Sequence, residues 1–255
     1  MLELDQVSRA FGGLQALKDV SMTVPNNQII GLIGPNGAGK TTLINNISGL
    51  DHPTSGSIRF NGKGINDLAP HQIARLGVAR TYQNIRLFSD MTALENLLIS
   101  QHRRGKASIL DTLIFSGRYR HEERDFRDNA VRWLHRFQLS SVLDNRAGSL
   151  PYGDQRRLEM ARALATEPEL MLLDEPAAGM NAVETRQLGE QIVQLKAEGL
   201  TVLVIEHDMA LIHQVCDAIY VLSFGQIIAY GTPEEIKNNP VVIEAYLGKE
   251  DNGAA

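Results

Sequence analysis

The chain has 255 residues, 43% hydrophobic and 22% charged, the proportions of a soluble globular protein long enough to bury a real core. Its net charge of −5 argues against a general nucleic-acid binder, and its one cysteine, Cys216, excludes an internal disulfide framework. No Cys/His group has zinc-ligand spacing, and the start of the chain places Glu3 and Asp5 where a signal peptide needs a basic and then an apolar stretch. No apolar run approaches the ~18 residues of a spanning helix, so the expected setting is cytoplasmic and any membrane role peripheral.

In chain order, residues 2–7 read as an edge strand of an antiparallel pairing, and 28–33 as a buried strand. A glycine loop follows, then a helix marked by Leu43, Ile44, Ile47 and Leu50 at helical spacing. Residues 57–60, among Gly and Asn, form a second antiparallel edge. From about Gln83 to Leu150 no strand-like run occurs and the sequence reads as helical. Between His102 and Arg136 it carries nine Lys/Arg against five Asp/Glu. That excess reads first as a solvated helical face, and alternatively as a surface meeting a membrane-associated partner. Residues 156–165 are strongly helical, 170–173 are a buried strand, and Leu188, Ile192 and Leu195 mark a crossover helix before a third buried strand, Thr201–Ile205. Residues 213–218 read as a helix, making Cys216 a buried small hydrophobe. Thr232 to Glu235 is a capping box with Pro233 at the first helical position. Short apolar runs alternating with amphipathic helices predict an α/β domain with a mainly parallel sheet.

Gly34, Pro35, Asn36, Gly37, Ala38, Gly39, Lys40 and Thr41 fit G-x-x-x-x-G-K-[ST] between a strand and a helix. The glycines let backbone N–H groups approach phosphates at the helix N-terminus. Lys40 reaches the β- and γ-phosphates, the Thr41 hydroxyl ligates Mg²⁺, and Thr42 joins the ATP-binding group. The strand 170–173 runs into Asp174 and Glu175 at the carboxyl edge of the sheet, where ligands bind. Asp174 is expected to hold Mg²⁺ and Glu175 to polarise the attacking water. Gln83 follows a short strand, Leu150, Pro151, Tyr152, Gly153 and Asp154 precede the helical run 156–165, and His207 follows the third buried strand. Singly these read as a loop amide, a helix cap and a structural histidine; their order around the two nucleotide motifs joins them into one set.

This set resembles the ABC ATPase family along essentially the whole chain. The resemblance implies a P-loop NTPase (RecA-like) α/β core, mainly parallel, with an N-terminal antiparallel β edge and a helical subdomain. One ABC ATPase domain would have its core at about 1–82 and 156–230, its helical part at about 83–155 and a helical tail at 231–255. It further implies that Gln83 senses Mg²⁺ and the permease, Leu150 to Asp154 form the signature presented to a partner's ATP, His207 is the switch histidine and Phe11 stacks on adenine. The expected cofactors are ATP and Mg²⁺. The expected partners are a second ATPase subunit (homologous or identical), two integral-membrane permease subunits and, indirectly, an extracytoplasmic substrate-binding protein, with no nucleic acid. The expected location is the cytoplasmic face of the bacterial inner membrane. Residues 80–88 and 240–248 look like the branched-chain amino-acid (Liv-type) importers, and the long segment between His102 and Arg132 like the larger of their ATPase subunits. An importer of another cargo, urea-type or lipid, is the alternative. A soluble ABC protein of ribosomes or DNA is a second, set against by the single cassette and the lack of sustained heptads. Two departures stand out. The family signature usually reads Leu-Ser-Gly-Gly-Gln, whereas Pro151, Tyr152 and Asp154 stand here, with Asp154 expected to cap the next helix through its N–H groups. Asn181 stands where the family usually has aspartate.

Overall fold

The computed structural model describes residues 1–101 and 117–247, apart from the side chains of Arg118 and Leu247. Much of the basic segment beginning at His102, and the end of the tail from Gly248, therefore lie outside the described residues. The chain divides into two units, Met1–Arg80 together with the chain from Glu169 onward, and Thr81–Pro168. Helix Tyr152–Leu164 thus belongs with the helical unit, whose edge was expected near 155.

The first unit holds two sheets. Strands β1 (Leu2–Phe11), β2 (Leu14–Val24), β4 (Ser55–Phe60) and β5 (Lys63–Gly64) form an antiparallel sheet ordered β2-β1-β4-β5. The second sheet contains β3 (Ile29–Ile33), β6 (Val78–Arg80), β7 (Leu170–Asp174), β8 (Thr201–Ile205), β9 (Ala218–Ser223) and β10 (Gln226–Gly231), ordered β10-β9-β3-β8-β7-β6. Five of its strands run parallel, and β10 pairs antiparallel with β9. Strands β3, β7 and β8 are buried along their whole length, which is why they appear as unbroken apolar runs rather than alternations. Helices α1 (Lys40–Ile47) and α2 (Pro70–Arg75) precede β6 in this unit. After β7 come α6 (Ala182–Ala197), α7 (Met209–Val215), α8 (Pro233–Lys237) and α9 (Pro240–Leu247), following α3 (Ala93–Gln101), α4 (Gly117–Arg136) and α5 (Tyr152–Leu164) of the second unit. Leu188, Ile192 and Leu195 are the buried face of α6, and Thr232 caps α8 with Glu235, as their spacing predicts.

Two local expectations are corrected. Helix α1 stops at Ile47 because Gly49 turns left-handed (φ 73°), so Leu50 lies beyond it and is exposed rather than on its buried face. Helix α7 ends at Val215, and Ala218 already belongs to β9. Between them Asp217 accepts a hydrogen bond from the Ile29 N–H at 2.8 Å and pairs with Lys196 at 2.5 Å, fixing the chain's entry into the sheet. Strands β2, β9 and β10 complete the two sheets without having been read from the sequence.

The second unit comprises α3 (Ala93–Gln101), α4 (Gly117–Arg136), α5 (Tyr152–Leu164) and short 3₁₀ turns. Its interior joins Leu97, Ala130, Leu134, Phe137, Leu158 and Leu164, all at most 2% exposed. Asn129 of α4 is buried with them. Its amide donates to the Gln101 side-chain carbonyl at 2.7 Å and to the Ala165 carbonyl at 3.1 Å, so the polar group is bonded to both neighbours.

Candidate functional site

Parallel register aligns the chemistry of the first unit. Leu32 pairs with Ile205 across β3 and β8, and Ile205 with Asp174 across β8 and β7. The residues just beyond these strands, Gly34, Glu206–His207 and Glu175, therefore leave the carboxyl ends of three adjacent strands. In an open parallel sheet that is where a ligand crevice forms.

The glycine loop is held by close backbone contacts. A Cβ on Gly34 (φ 151°) would sit 2.0 Å from the Leu222 carbonyl oxygen, and one on Gly39 (φ 106°) 2.6 Å from that of Ala16. Both positions thus require glycine on conformational and steric grounds. Gly39 precedes α1 and brings no side-chain cap, leaving the first-turn N–H groups to an anionic ligand. Asn36, Gly37 and Thr41 are exposed, Pro35 and Thr42 half-buried, and Ala38 buried, its carbonyl accepting from the Gly225 N–H at 2.9 Å. Lys40 donates from Nζ to the Gly34 and Pro35 carbonyls at 2.6 and 3.0 Å, so the loop itself folds around the ammonium. Burial pulls the Lys40 amine below its ordinary value, against the opposing pull of the Glu175 and Asp174 carboxylates.

Asp174 is buried and paired at 2.8 Å with Arg80, which ends β6. The same guanidinium donates at 2.8 Å to the Asn45 side-chain carbonyl of the helix that follows the glycine loop and to the hydroxyl of Ser48, that helix's C-cap. Arg80 thereby fixes the acid of one nucleotide motif to the helix of the other. Sequence reasoning did not assign it this role; the available signal was a charged residue closing a short strand beside the Gln83 loop. Glu175 adopts a left-handed backbone (φ 49°) and donates its N–H to the Ile205 carbonyl at 2.9 Å. A non-glycine residue in that region is uncommon, and such strain clusters at functional sites. Asn181 is the N-cap of α6, accepting from Val183 and Glu184 N–H at 2.9 and 3.1 Å. The amide there performs the capping an aspartate would perform. His207 is exposed at the end of β8, with Nδ1 3.8 Å from a Glu206 carboxylate oxygen. Phe11 closes β1 half-exposed, with the Arg9 guanidinium 4.5 Å over its ring and Arg9 bonded in turn to Asp51.

Gln83 and the signature lie in the second unit. Residues Pro151 and Tyr152 are exposed and Leu150 is buried. Helix α5 begins at Tyr152, so Tyr152, Gly153 and Asp154 form its first turn rather than a loop before it. The expectation for Asp154 is corrected. It sits inside the helix, its carboxylate pairs with Arg157 one turn on, and no side chain caps the helix start. Also unassigned from sequence is Arg156, buried in α5, which donates to the Tyr82 carbonyl at 2.6 Å and to the Gln83 carbonyl. Glu159, one turn further, accepts from Arg156 at 3.2 Å and from the Arg86 N–H at 3.3 Å. Burial raises the Glu159 carboxyl, against these bonds and the nearby arginines. The helix that begins within the signature thus grips the backbone that carries Gln83.

Among the described residues no three His, Cys, Asp or Glu side chains converge on a metal position. A hydroxyl (Thr41) and a carboxylate (Asp174) in one unit fit Mg²⁺, which is commonly bound by one or two protein oxygens, substrate phosphates and water. Gln83, the third expected ligand, belongs to the other unit.

The family model for "ABC transporter" matches residues 17–178, and that for "Branched-chain amino acid ATP-binding cassette transporter" matches 226–252. The high-affinity branched-chain amino acid transport ATP-binding protein BraF of Pseudomonas aeruginosa is 47% identical over 250 residues, 98% of each chain. Its counterpart LivG of Escherichia coli K12 is 45% identical over the same share of both. Among solved structures, a nucleotide-free ATP-binding cassette from an ABC transporter superposes with a TM-score of 0.84 at 36% identity, covering 98% of this chain and 99% of that one. A cassette in its ADP conformation gives 0.84 at 32% identity over the same shares. With the glycine loop, the strand-end acids and the parallel sheet all in place, the chain belongs to the ABC transporter family of ATP-binding cassettes.

Proposed function

We propose that this cassette is the ATP-hydrolysing subunit of an importer of branched-chain amino acids, at the cytoplasmic face of a bacterial inner membrane. The cargo assignment is supported by the names of its relatives and by the match over residues 226–252. Among the described residues no helix is long and apolar enough to cross a membrane, which suits a subunit that borrows its pathway from two permease chains. The proposed assembly pairs it with a second ATPase subunit and, through the permease, with an extracytoplasmic binding protein.

The observation carrying the chemistry is the row Gly34, His207 and Glu175 at the ends of β3, β8 and β7. In the proposed mechanism the loop from Gly34 to Thr41 binds the phosphates through backbone N–H groups. Lys40 exchanges its two carbonyl partners for phosphate oxygens, which return the negative charge its burial demands. Thr41 and Asp174 would hold Mg²⁺, which supplies charge neutralisation of the phosphates. Glu175 orients and polarises the attacking water, and the imidazole of His207 faces the γ-phosphate. Phe11 stacks on the adenine, and Leu150 to Asp154 address the partner's nucleotide. Glu175→Gln should keep ATP affinity while hydrolysis falls by roughly 10²–10⁴, the usual worth of a general base. The variant should accumulate as an ATP-bound dimer on gel filtration. Turnover within a few-fold of the parent would remove Glu175 from this role. Leucine uptake in cells carrying the variant should be lost in parallel, and retained uptake would refute the cargo.

A further inference from the structure

Strand β8 is apolar from Val202 to Ile205 and then places a carboxylate, Glu206, in the interior at 1% exposure. Burying a charge there is costly unless it is fully bonded. One oxygen accepts the Ala177 N–H at 2.8 Å; the other accepts the His207 N–H at 3.0 Å and the Asp208 N–H at 3.3 Å. The two oxygens therefore serve two different loops, the one that follows Glu175 and runs to Asn181, and the one that carries His207. The Nδ1 of His207 lies 3.8 Å from the carboxylate, beyond hydrogen-bond range, so the link to that residue runs through its backbone. A glutamine cannot reproduce this arrangement, because its NH₂ end meets an N–H with another donor.

We propose that Glu206 is a positioning residue that locks the loop after Glu175 to the loop of His207, so that both catalytic groups hold or lose their places together. The consequence rests on the roles given above to Glu175 and His207. Displacement of residues 177–181 by a neighbouring subunit would then be felt at His207 without any direct contact between the two side chains. Hydrogen bonds to a charged acceptor are stronger than neutral ones, and here they cross between two strand ends.

The test is Glu206→Gln in the full chain, read by ATP affinity, by kcat and KM, and by amide hydrogen exchange of segments spanning 175–181 and 205–209. The expected result is a fall in kcat of at least tenfold with ATP affinity within twofold, since Lys40 and its loop are untouched. Exchange should speed up in both segments together. Unchanged kcat, equal losses in affinity and turnover, or faster exchange in only one segment would each overturn the proposal. Should that variant not fold, Glu206→Asp keeps the charge but is one methylene too short to span both loops, and the same outcomes decide. If Glu175→Gln hydrolyses like the parent, the catalytic assignment fails separately, while the exchange measurement still decides the link between the loops because it needs no turnover.

Discussion

Replacing Arg80 by methionine keeps an unbranched stem, though a shorter one, and removes every donor. In the native unit the guanidinium is 7% exposed, and its partner Asp174 is 8% exposed at 2.8 Å. Two further bonds of 2.8 Å run to Asn45 and Ser48. Removing one member of a buried ion pair costs roughly 3–5 kcal/mol, because the remaining charge stays desolvated. Lys40 remains in the field of Asp174, which places the expected cost at the lower end, about 3 kcal/mol. Against a total stability of about 5–15 kcal/mol this is large enough for the urea midpoint to move clearly. The assay is urea unfolding of Arg80→Met, Asp174→Asn and the double variant. The double variant should be less destabilised than the sum of the singles, with a coupling of about 0.5–3 kcal/mol. A loss below about 1 kcal/mol in Arg80→Met, or strict additivity, would refute the idea that this pair ties the strand-end acid to α1.

The Cys216 thiol is pushed up to about 12, first by burial and then by the neighbouring Asp217. Thiolate is then about four orders of magnitude scarcer than thiol at pH 8, so native protein should resist iodoacetamide and react only after urea, as mass spectrometry would show. Gly31→Ala should destabilise by about 1–3 kcal/mol in thermal unfolding by overpacking, since its Cβ would meet Cys216 Sγ at 3.0 Å and Ile219 Cγ1 at 3.3 Å. Asn181→Ala should cost about 0.5–2 kcal/mol through loss of the α6 cap, whereas Asn181→Asp should be nearly neutral in the same assay.

The sheet core was legible where one physical signal dominated. Strands β3, β7 and β8 are apolar on both faces and each ends in a glycine or an acid, so both their existence and their functional ends could be read. The β9–β10 hairpin was not legible because its two-residue turn places Phe224 (φ 45°) and Gly225 (φ 75°) in the left-handed region. That geometry usually shows itself as Asn-Gly or Asp-Gly, and a phenylalanine hides it. The β1–β2 hairpin did carry a signal, Gly12-Gly13, but β2 has exposed charges and β1 is broken by register shifts, which blur the alternation. At the site, the residues expected to touch nucleotide stand in contiguous motifs and could be named. Arg80, Arg156 and Glu206 act by bonding to segments 29 to 94 residues away, and no local spacing records that. Asp154 went wrong for a related reason, since Pro151 as N-cap starts the helix earlier than the apolar periodicity does.

That earlier start changes what the departure from the family signature means. Asp154 faces Arg157 from within the first turn of α5, so its charge is matched locally and is not left standing alone before a polyanion. The lasting deficit is then at Pro151, where the family's serine would donate a hydroxyl and proline has neither hydroxyl nor N–H. A missing hydrogen bond to a charged group is worth about 1.5–3 kcal/mol, which is about tenfold to a hundredfold in rate if it acts in the transition state. Suppose the second ATPase subunit carries the serine. The site built on this chain's Lys40, Glu175 and His207 then receives the complete surface, and the opposite site receives the deficient one. Changing the catalytic glutamate to glutamine in one subunit at a time, within the assembled transporter, should therefore slow hydrolysis far more when Glu175 is the residue changed. Pro151→Ser should raise the rate of the opposite site alone, provided α5 still starts at Tyr152, which circular dichroism and urea unfolding would check. Equal slowing by the two glutamine changes, or no gain from Pro151→Ser in a folded protein, would show that the Gly153 backbone and its helix N-terminus supply all the signature needs.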